Sequence, residues 1–113
     1  MSMKSDENTI NLEIYRIKGA KVLTGRSFGK HVREDSRIDE IENNFEEVNV
    51  TIPDDIYSIA PSFLEEFFVN VIRKLGKEKF LVKFKFNNKG EYDYETALHE
   101  AIERVLRKKT ALD

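Results

Sequence analysis

Apolar residues alternate with polar ones in three stretches of the chain, and a period of two is typical of half-buried β-strands. The apolar members of these stretches are Ile10, Leu12 and Ile14; Val48, Val50 and Ile52; and Phe80, Val82, Phe84 and Phe86. A turn at residues 18–20 followed by a short apolar run at residues 21–24 predicts a further strand, paired with the first. We therefore expect four strands.

Apolar residues spaced three or four positions apart predict three helices. The first helix is expected over residues 28–45 with a gap near Asp35, the second from Ser62 to Leu75, and the third over residues 94–106. The second helix has a broad apolar stripe, and Gly76 is expected to end it.

The predicted order of elements is β-β-α-β-α-β-α, which is typical of an α/β domain. Every predicted strand has one polar row, whereas strands covered by helices on both faces are continuously apolar. We therefore expect a two-layer sandwich, in which a mixed four-stranded sheet carries helices on one face and neighbouring strands are parallel across each helix. Residues 10–113 are expected to form this single domain after a flexible N-terminal tail over residues 1–9.

Composition narrows the class of function. The 113 residues include 19 basic and 21 acidic side chains, and the net charge of -2 argues against nucleic-acid binding through a general phosphate field. Cysteine is absent, which excludes disulfides and cysteine-based metal or redox sites. No apolar run approaches the roughly 20 residues of a membrane span. Residues 1–9 do not resemble a signal peptide, so we expect a cytoplasmic protein without membrane contact.

The segment from Val48 to Leu75 is the strongest candidate for a binding surface. It comprises a strand, an acidic loop and a helix that opens at Pro61. Because backbone N–H groups at a helix start point outward, such a start attracts polar or phosphorylated groups. We expect the loop and the helix start to lie together at one end of the sheet. The candidate partner-binding or regulatory residues are Asp54, Asp55, Ser58, Ser62 and Glu65.

Ser62 has two interpretations. It could contact a partner or accept a phosphate, which the positive end of a helix favours. It also matches the first position of a capping box with Glu65, in which each side chain accepts a free backbone N–H. Capping is the favoured interpretation, because both members of the box are present and the acidic pair Glu65–Glu66 would repel a phosphate.

Two further groups suggest ligand contacts, each with a plainer alternative. Asp54 and Asp55 could bind Mg²⁺ through oxygen atoms, but adjacent acids after a proline more commonly form a turn. The run at residues 25–30 could cradle an anion at a helix start, but it lacks the spacing of a phosphate-binding loop. The weak candidates for an anion or ligand contact are Gly25, Arg26 and Arg33. No metal site and no cofactor is predicted.

No catalytic constellation is recognisable in the chain. The two histidines, His31 and His99, are far apart on predicted helices, and no serine stands in a G-x-S-x-G setting. We therefore predict no enzymatic activity and no catalytic residue.

Two patches of the chain carry a resemblance to a known family. One is Gly25–Arg26 with Gly29 and Arg33, and the other is Ile59–Glu66, where Ser-Phe is followed by an acidic residue. With the order of elements, these patches resemble the STAS-like bacterial domain family of unknown function, which is related in fold to the STAS domains of anti-sigma factor antagonists. The resemblance covers residues 10 to 109.

The resemblance implies a non-enzymatic regulatory module that binds another protein in a signalling pathway, with a histidine-kinase-type ATPase as the partner. In the anti-sigma factor antagonists, a kinase phosphorylates a serine within an Asp-Ser-Ser-Gly-Leu loop. Of the corresponding residues 60–64, only Ser62 and Leu64 match, and Pro61 occupies the usual acceptor position. The alternative is a small-ligand or nucleotide-binding module that uses the strand-to-helix loops. The sequence is also compatible with a homodimer.

Overall fold

The computed structural model describes the backbone of residues 7–112 and the side chains of residues 7–107. The strands are β1 (Thr9–Asn11), β2 (Val22–Leu23), β3 (Val48–Ile52), β4 (Ser58–Ile59) and β5 (Phe84–Asn88). The helices are α1 (Arg26–Ser36), α2 (Ile38–Asn44), α3 (Pro61–Lys83) and α4 (Tyr94–Leu112), and a 3₁₀ turn (Leu12–Tyr15) follows β1. Of the predicted tail, residues 1–6 lie outside the described residues, whereas Thr9 is already part of β1.

The fold is α/β, and its main sheet has three parallel strands in the order β1-β3-β5. Val50 lies in register with Ile10 on one side and with Phe86 on the other, so apolar side chains of all three strands share one face. The opposite face is polar and places Asn49 beside Lys85. The predicted α/β class and parallel neighbours are therefore confirmed.

Strand β2 pairs with β4 in a separate two-stranded parallel sheet. Leu23 lies in register with Ile59, and both side chains are buried. The expected pairing of β2 with β1 is therefore wrong, and the described residues form a three-stranded and a two-stranded sheet in place of one mixed four-stranded sheet. The cause is β4, a strand that lies within the predicted loop and gives β2 a partner of its own.

The first strand is shorter than its alternating pattern predicted. The Asn11 side-chain oxygen accepts a hydrogen bond from the N–H of Glu13 at 3.0 Å, which caps the 3₁₀ turn. The chain therefore leaves the sheet before Ile14, whose side chain is exposed. A local side-chain bond of this kind competes with strand pairing and is typical of asparagine.

The last strand also begins later than predicted, because residues 80–83 continue the preceding helix. Phe80 is fully buried from this helical position, and its ring stacks on that of Phe84 with a centroid distance of 4.6 Å. Val82, expected to share the apolar face of a strand with Phe80, is instead an exposed helical residue.

Two residues with positive φ divide the predicted helices. Arg37, at φ 58°, separates α1 from α2 where a single helix was expected. Gly76, at φ 81°, interrupts α3 at the predicted stop, but the chain resumes a helical course as far as Lys83. Glycine adopts this backbone region without a steric penalty, so it provides the kink that brings Phe80 back to the core.

Helix α3 lies at the centre of the molecule and packs against both α1 and α4. The largest fully buried side chains are Phe63, Phe67, Phe68, Phe80 and Phe84. Burial of each such ring stabilises the fold by about 1.5–3 kcal/mol. This aromatic core joins α3 to β5 at the centre of the fold.

Candidate functional site

The acidic loop between β3 and β4 is held against the connection between β1 and β2. The Lys21 Nζ donates a hydrogen bond to the Asp55 carboxylate at 2.7 Å, and an Arg16 Nη donates to the Asp55 carbonyl oxygen at 3.5 Å. Asp55 itself has a φ of 62°, a conformation that aspartate tolerates in turns. Asp54 and Asp55 form a bend in the chain between β3 and β4.

The hydrogen bond from Lys21 and its positive charge lower the pKa of the Asp55 carboxyl. The same hydrogen bond and charge pair raise the pKa of Lys21. Both side chains are well exposed, so water and salt screen their attraction. Within the described residues, no group of three or more histidine, cysteine or acidic side chains is arranged to hold a metal ion.

Exposed apolar side chains concentrate beside this loop. Among the described residues, five large hydrophobic side chains are exposed: Ile14, Ile17, Val22, Tyr57 and Val82. Ile14 lies on the 3₁₀ turn, Ile17 on the β1–β2 connection and Val22 on β2, whereas Tyr57 immediately precedes β4. The contacts of Arg16 and Lys21 join the β1–β2 connection to the acidic loop. We call this region the exposed corner and define it by Ile14, Ile17, Val22, Asp55, Tyr57 and Ser58.

Tyr57 is the most prominent member of the exposed corner, with 73% of its surface accessible. The Lys21 Nζ lies 5.5 Å from the centre of its ring, within range of a cation–π contact. Ser58 follows on β4 in register with Val22, and both of these side chains face solvent. An aromatic ring, an ion pair and a hydroxyl group thus lie next to one another on the surface.

An open groove adjoins the exposed corner. It has a volume of about 720 Å³ and lies between residues 54–57 and residues 89–92, where the loops leave the carboxyl ends of β3 and β5. Ligands of open α/β sheets commonly bind at this end of the strands. Gly90 allows the two loops to meet, because a Cβ at this position would lie 3.0 Å from the Asp54 Cα.

Ser62 does not cap α3, so the predicted capping box with Glu65 is wrong. Ala60 is the N-cap residue, and Pro61 occupies the first turn of the helix. Proline favours this position because it has no N–H to satisfy and its φ is already helical. Ser62 therefore lies inside the first turn and is half-buried.

The Glu65 carboxylate is buried between three helices. It accepts hydrogen bonds from Arg26 of α1 at 3.1 Å and from Arg104 of α4 at 3.0 Å. The bond between Arg104 and Glu65, together with the charge of Glu100, raises the pKa of Arg104. Only 3% of the Glu65 side chain is accessible, so Glu65 cannot serve as a partner contact on the folded surface.

Arg33 also binds an acidic neighbour of α3. Its guanidinium lies 3.3 Å from the Glu66 carboxylate and donates to the Glu66 carbonyl oxygen. We call Arg26, Arg33, Glu65, Glu66 and Arg104 the Glu65 cluster. An anion at the predicted Gly25–Arg26 site would therefore compete with two carboxylates for these arginines.

Gly29 makes the Glu65 cluster geometrically feasible. A Cβ at this position would overlap the Phe63 carbonyl oxygen and lie 2.9 Å from the Glu66 Cβ. Helices α1 and α3 can approach this closely only because Gly29 has no side chain. Gly29, Arg26 and Arg33 thus join α1 to α3, whereas Gly25 precedes α1 with a φ of 106° and has open space around it.

The structure separates the sequence-predicted residues into two places. Asp54, Asp55 and Ser58 lie at the start of the β2–β4 sheet, whereas Ser62 follows its far end. Along the chain, the short strand β4 lies between the acidic loop and the start of α3, which were expected to lie together at one end of the sheet. Sequence reasoning also missed the exposed apolar residues of the corner, since their exposure depends on the 3₁₀ turn and on the pairing of β2 with β4.

A second buried carboxylate was also missed. Glu42 of α2 accepts hydrogen bonds from Lys74 at 2.8 Å and from Lys83 at 2.9 Å. Burial raises the pKa of the Glu42 carboxyl, but the two lysine hydrogen bonds outweigh burial and lower it overall. No local sequence signal distinguishes Glu42 from the exposed acids around it, because its partners come from α3.

The histidines lie apart from these sites. His31 is exposed, and its ring meets the edge of the Tyr15 ring at a centroid distance of 6.0 Å. Burial and the hydrogen bond to Asp35 raise the pKa of Tyr15 to about 12, so its hydroxyl stays protonated at neutral pH. His99 is exposed on α4. Among the described residues, neither histidine makes a hydrogen bond or ion pair with a carboxylate.

Comparisons with protein-family models, with curated proteins and with solved structures each found no match for this chain. The resemblance to STAS-like domains therefore stays a prediction from the sequence. Over the described part of the chain, no helix combines the length and apolarity needed to cross a membrane.

Proposed function

We propose that this domain is a non-enzymatic regulatory module that binds a partner protein through the exposed corner. The observation that carries the proposal is the concentration at this corner of four of the five exposed large hydrophobic side chains in the described residues. Single exposed apolar residues are ordinary on a protein surface, but a cluster with a polar border is typical of an interaction site.

The composition of the exposed corner agrees with that of protein interfaces. Tyrosine is enriched in such interfaces and in the residues that dominate binding energy. Tyr57 would insert its ring into the partner, while Ile14 and Ile17 extend the apolar contact. The Lys21–Asp55 pair would form the polar border and orient the partner through charge.

The sequence resemblance supports the same class of function. STAS-like domains imply regulation through binding to another protein, and a histidine-kinase-type ATPase is the partner that this resemblance suggests. Three of the five predicted partner residues, Asp54, Asp55 and Ser58, lie at or beside the exposed corner. A nucleotide-binding module has less support, because Arg26 and Arg33 already bind carboxylates.

The test begins with affinity purification of the tagged protein from its host and identification of bound proteins by mass spectrometry. The affinity of the purified partner is then measured for a double variant, Ile17→Ser with Tyr57→Ala. We expect at least about a tenfold loss of affinity, since truncation of a central interface residue commonly costs more than 1 kcal/mol.

Val82→Ser is the matched control for this experiment. Val82 is as exposed as Ile17, at 71% against 72%, but it lies at the end of α3 away from the corner. The control should bind the partner like the parent protein. Equal affinity of the double variant and the parent, or a loss confined to Val82→Ser, would contradict the proposal.

A further inference from the structure

Among the described residues, no strand pairs with the outer edge of β5, which ends the sheet order β1-β3-β5. The N–H of Lys89 donates to the carbonyl oxygen of Ile52 at 2.9 Å. With the register of β3 and β5, this bond shows which residues of β5 direct their backbone groups toward β3 and which direct them outward. In a parallel pair, alternate residues direct both backbone groups to the same neighbour. Lys85 and Asn87 therefore face β3, and the N–H and carbonyl groups of Phe86 face away from the sheet.

A groove lies beside this edge. It has a volume of about 280 Å³, and its apolar lining comprises Leu81, Phe84, Phe86, Tyr94 and Leu98. Lys85, Glu95 and His99 complete the lining. Leu81, Phe86 and Tyr94 are only partly buried, so their apolar surface is accessible from the edge. An added strand would direct every second side chain into this groove.

The polar side of the same edge is basic. Lys85 and Lys89 are both exposed, and each lies two positions from Asn87. Because side chains alternate between the two faces, both lysines lie on the same side of the sheet as Asn87. Opposite charges on neighbouring strands stabilise a pair, and like charges destabilise it. An incoming strand with acidic side chains on this face is therefore favoured.

The charges also argue against binding of a second copy of this chain along the β5 edge. Two β5 strands placed edge to edge would bring together Lys85 and Lys89 of both copies, with no acidic residue within either strand to offset them. An exposed edge with lysines is a common means of preventing such self-association.

We propose that the β5 edge binds an extended segment of a partner protein in which apolar and acidic residues alternate. The segment would add a fourth strand to the main sheet, place its apolar side chains in the groove and its acidic side chains beside Lys85 and Lys89. This interaction goes beyond the exposed corner, with which it shares no residue.

The first test uses a synthetic peptide of alternating valine and glutamate and follows amide hydrogen exchange by NMR. On addition of the peptide, exchange at Phe86 should slow by at least about tenfold, because its N–H gains a partner. Exchange at Lys85 and Asn87, which already face β3, should change little. The same peptide with its central valine replaced by proline is the control, since proline removes a donor from the added strand.

The second test reverses the charge at position 85 of the protein and the charge of the peptide. Lys85→Glu changes an exposed side chain, and its unchanged thermal unfolding would show that the fold is retained. The variant should bind the glutamate peptide about fivefold more weakly. It should bind a peptide of alternating valine and lysine more tightly than the parent protein does.

Three outcomes would overturn the proposal. The first is unchanged exchange at Phe86 in saturating glutamate peptide. The second is equal binding of both peptides to the parent and to Lys85→Glu. The third is protection of Phe86 without peptide together with a doubled molecular mass, which would assign the β5 edge to a second copy of this chain.

Discussion

The Glu65 cluster and the exposed corner both contain short ion pairs, but only the Glu65 cluster has its acidic side chain in the interior. Glu65 lies 3.1 Å from Arg26 and 3.0 Å from Arg104, and Asp55 lies 2.7 Å from Lys21. The Glu65 side chain is 3% accessible, whereas that of Asp55 is 55% accessible. Judged by distance alone, the Asp55 pair would be a stronger interaction than the Glu65 pairs. Burial of Glu65 reverses this ranking.

The difference determines what each region can do. Glu65 joins three helices, and loss of its partners would leave a charge in a site closed to water, which is costly. Asp55 can exchange Lys21 for a cation of a partner protein at little cost, because water solvates both groups. Fully buried charges thus maintain the fold, and the exposed pair stays available for binding.

The largest expected effect comes from separating α1 and α3. Gly29→Val places a branched side chain against the Phe63 carbonyl oxygen, so the helices must move apart and the Glu65 cluster opens. We expect a loss of about 3 kcal/mol in the free energy of unfolding, measured by urea denaturation. Lys30→Val, an exposed position of the same helix, is the control and should cost under about 1 kcal/mol. Equal stability of the two variants would show that the close approach at Gly29 is not needed.

A smaller effect is expected when the charge of Glu65 is removed without a change in shape. Glu65→Gln keeps one acceptor oxygen but places an uncharged amide between Arg26 and Arg104, and we expect a loss of about 2 kcal/mol. Glu66→Gln is the matched control, because the Glu66 side chain is 31% accessible and its interactions are better screened. If both variants unfold at the same urea concentration, burial does not distinguish these two acids.

Local patterns were sufficient to predict β3, the apolar stripe of α3 and the parallel arrangement of the main sheet. They failed where a short-range contact competes with periodicity, as when Asn11 caps a 3₁₀ turn within an alternating stretch. The N-cap of α3 was predictable from Pro61, which prefers the first helical turn. The signal for burial of Glu65 was its position between Leu64 and Phe68 on the apolar stripe.

The partners of the buried acids could not be predicted in the same way. Arg26 and Arg104 each lie 39 residues from Glu65 along the chain, on different helices. The meeting of Arg26 with Glu65 depends on the close approach of α1 and α3 at Gly29, and that of Arg104 depends on the packing of α4 against α3. The same limit applies to the exposed corner, because β4 and the 3₁₀ turn together decide which apolar side chains stay outside.

The smallest expected effect separates the buried and exposed acids by their response to pH. Hydrogen bonds from Lys74 and Lys83 overcome the effect of burial and hold the pKa of Glu42 below its ordinary value of 4.5. A depressed pKa in the folded state contributes stability that is complete above pH 4.5 and is lost as the pH falls through the folded-state pKa. Glu42→Gln should therefore be less stable than the parent at pH 7, and the difference should shrink as the solution is acidified below pH 4.5.

Asp55→Asn provides the comparison for this titration. The hydrogen bond from Lys21 lowers the pKa of Asp55 below 3.8. As for Glu42, any stability that this ion pair contributes is therefore lost when the solution is acidified. Because both groups of this pair are exposed, solvent screening should leave no detectable difference in stability from the parent at any pH. Urea unfolding of both variants across the acid range measures the contrast. A pH-dependent loss in Asp55→Asn as large as that in Glu42→Gln would mean that the exposed corner is part of the stabilising framework, and the corner would then be a poor candidate for exchanging its ion pair with a partner.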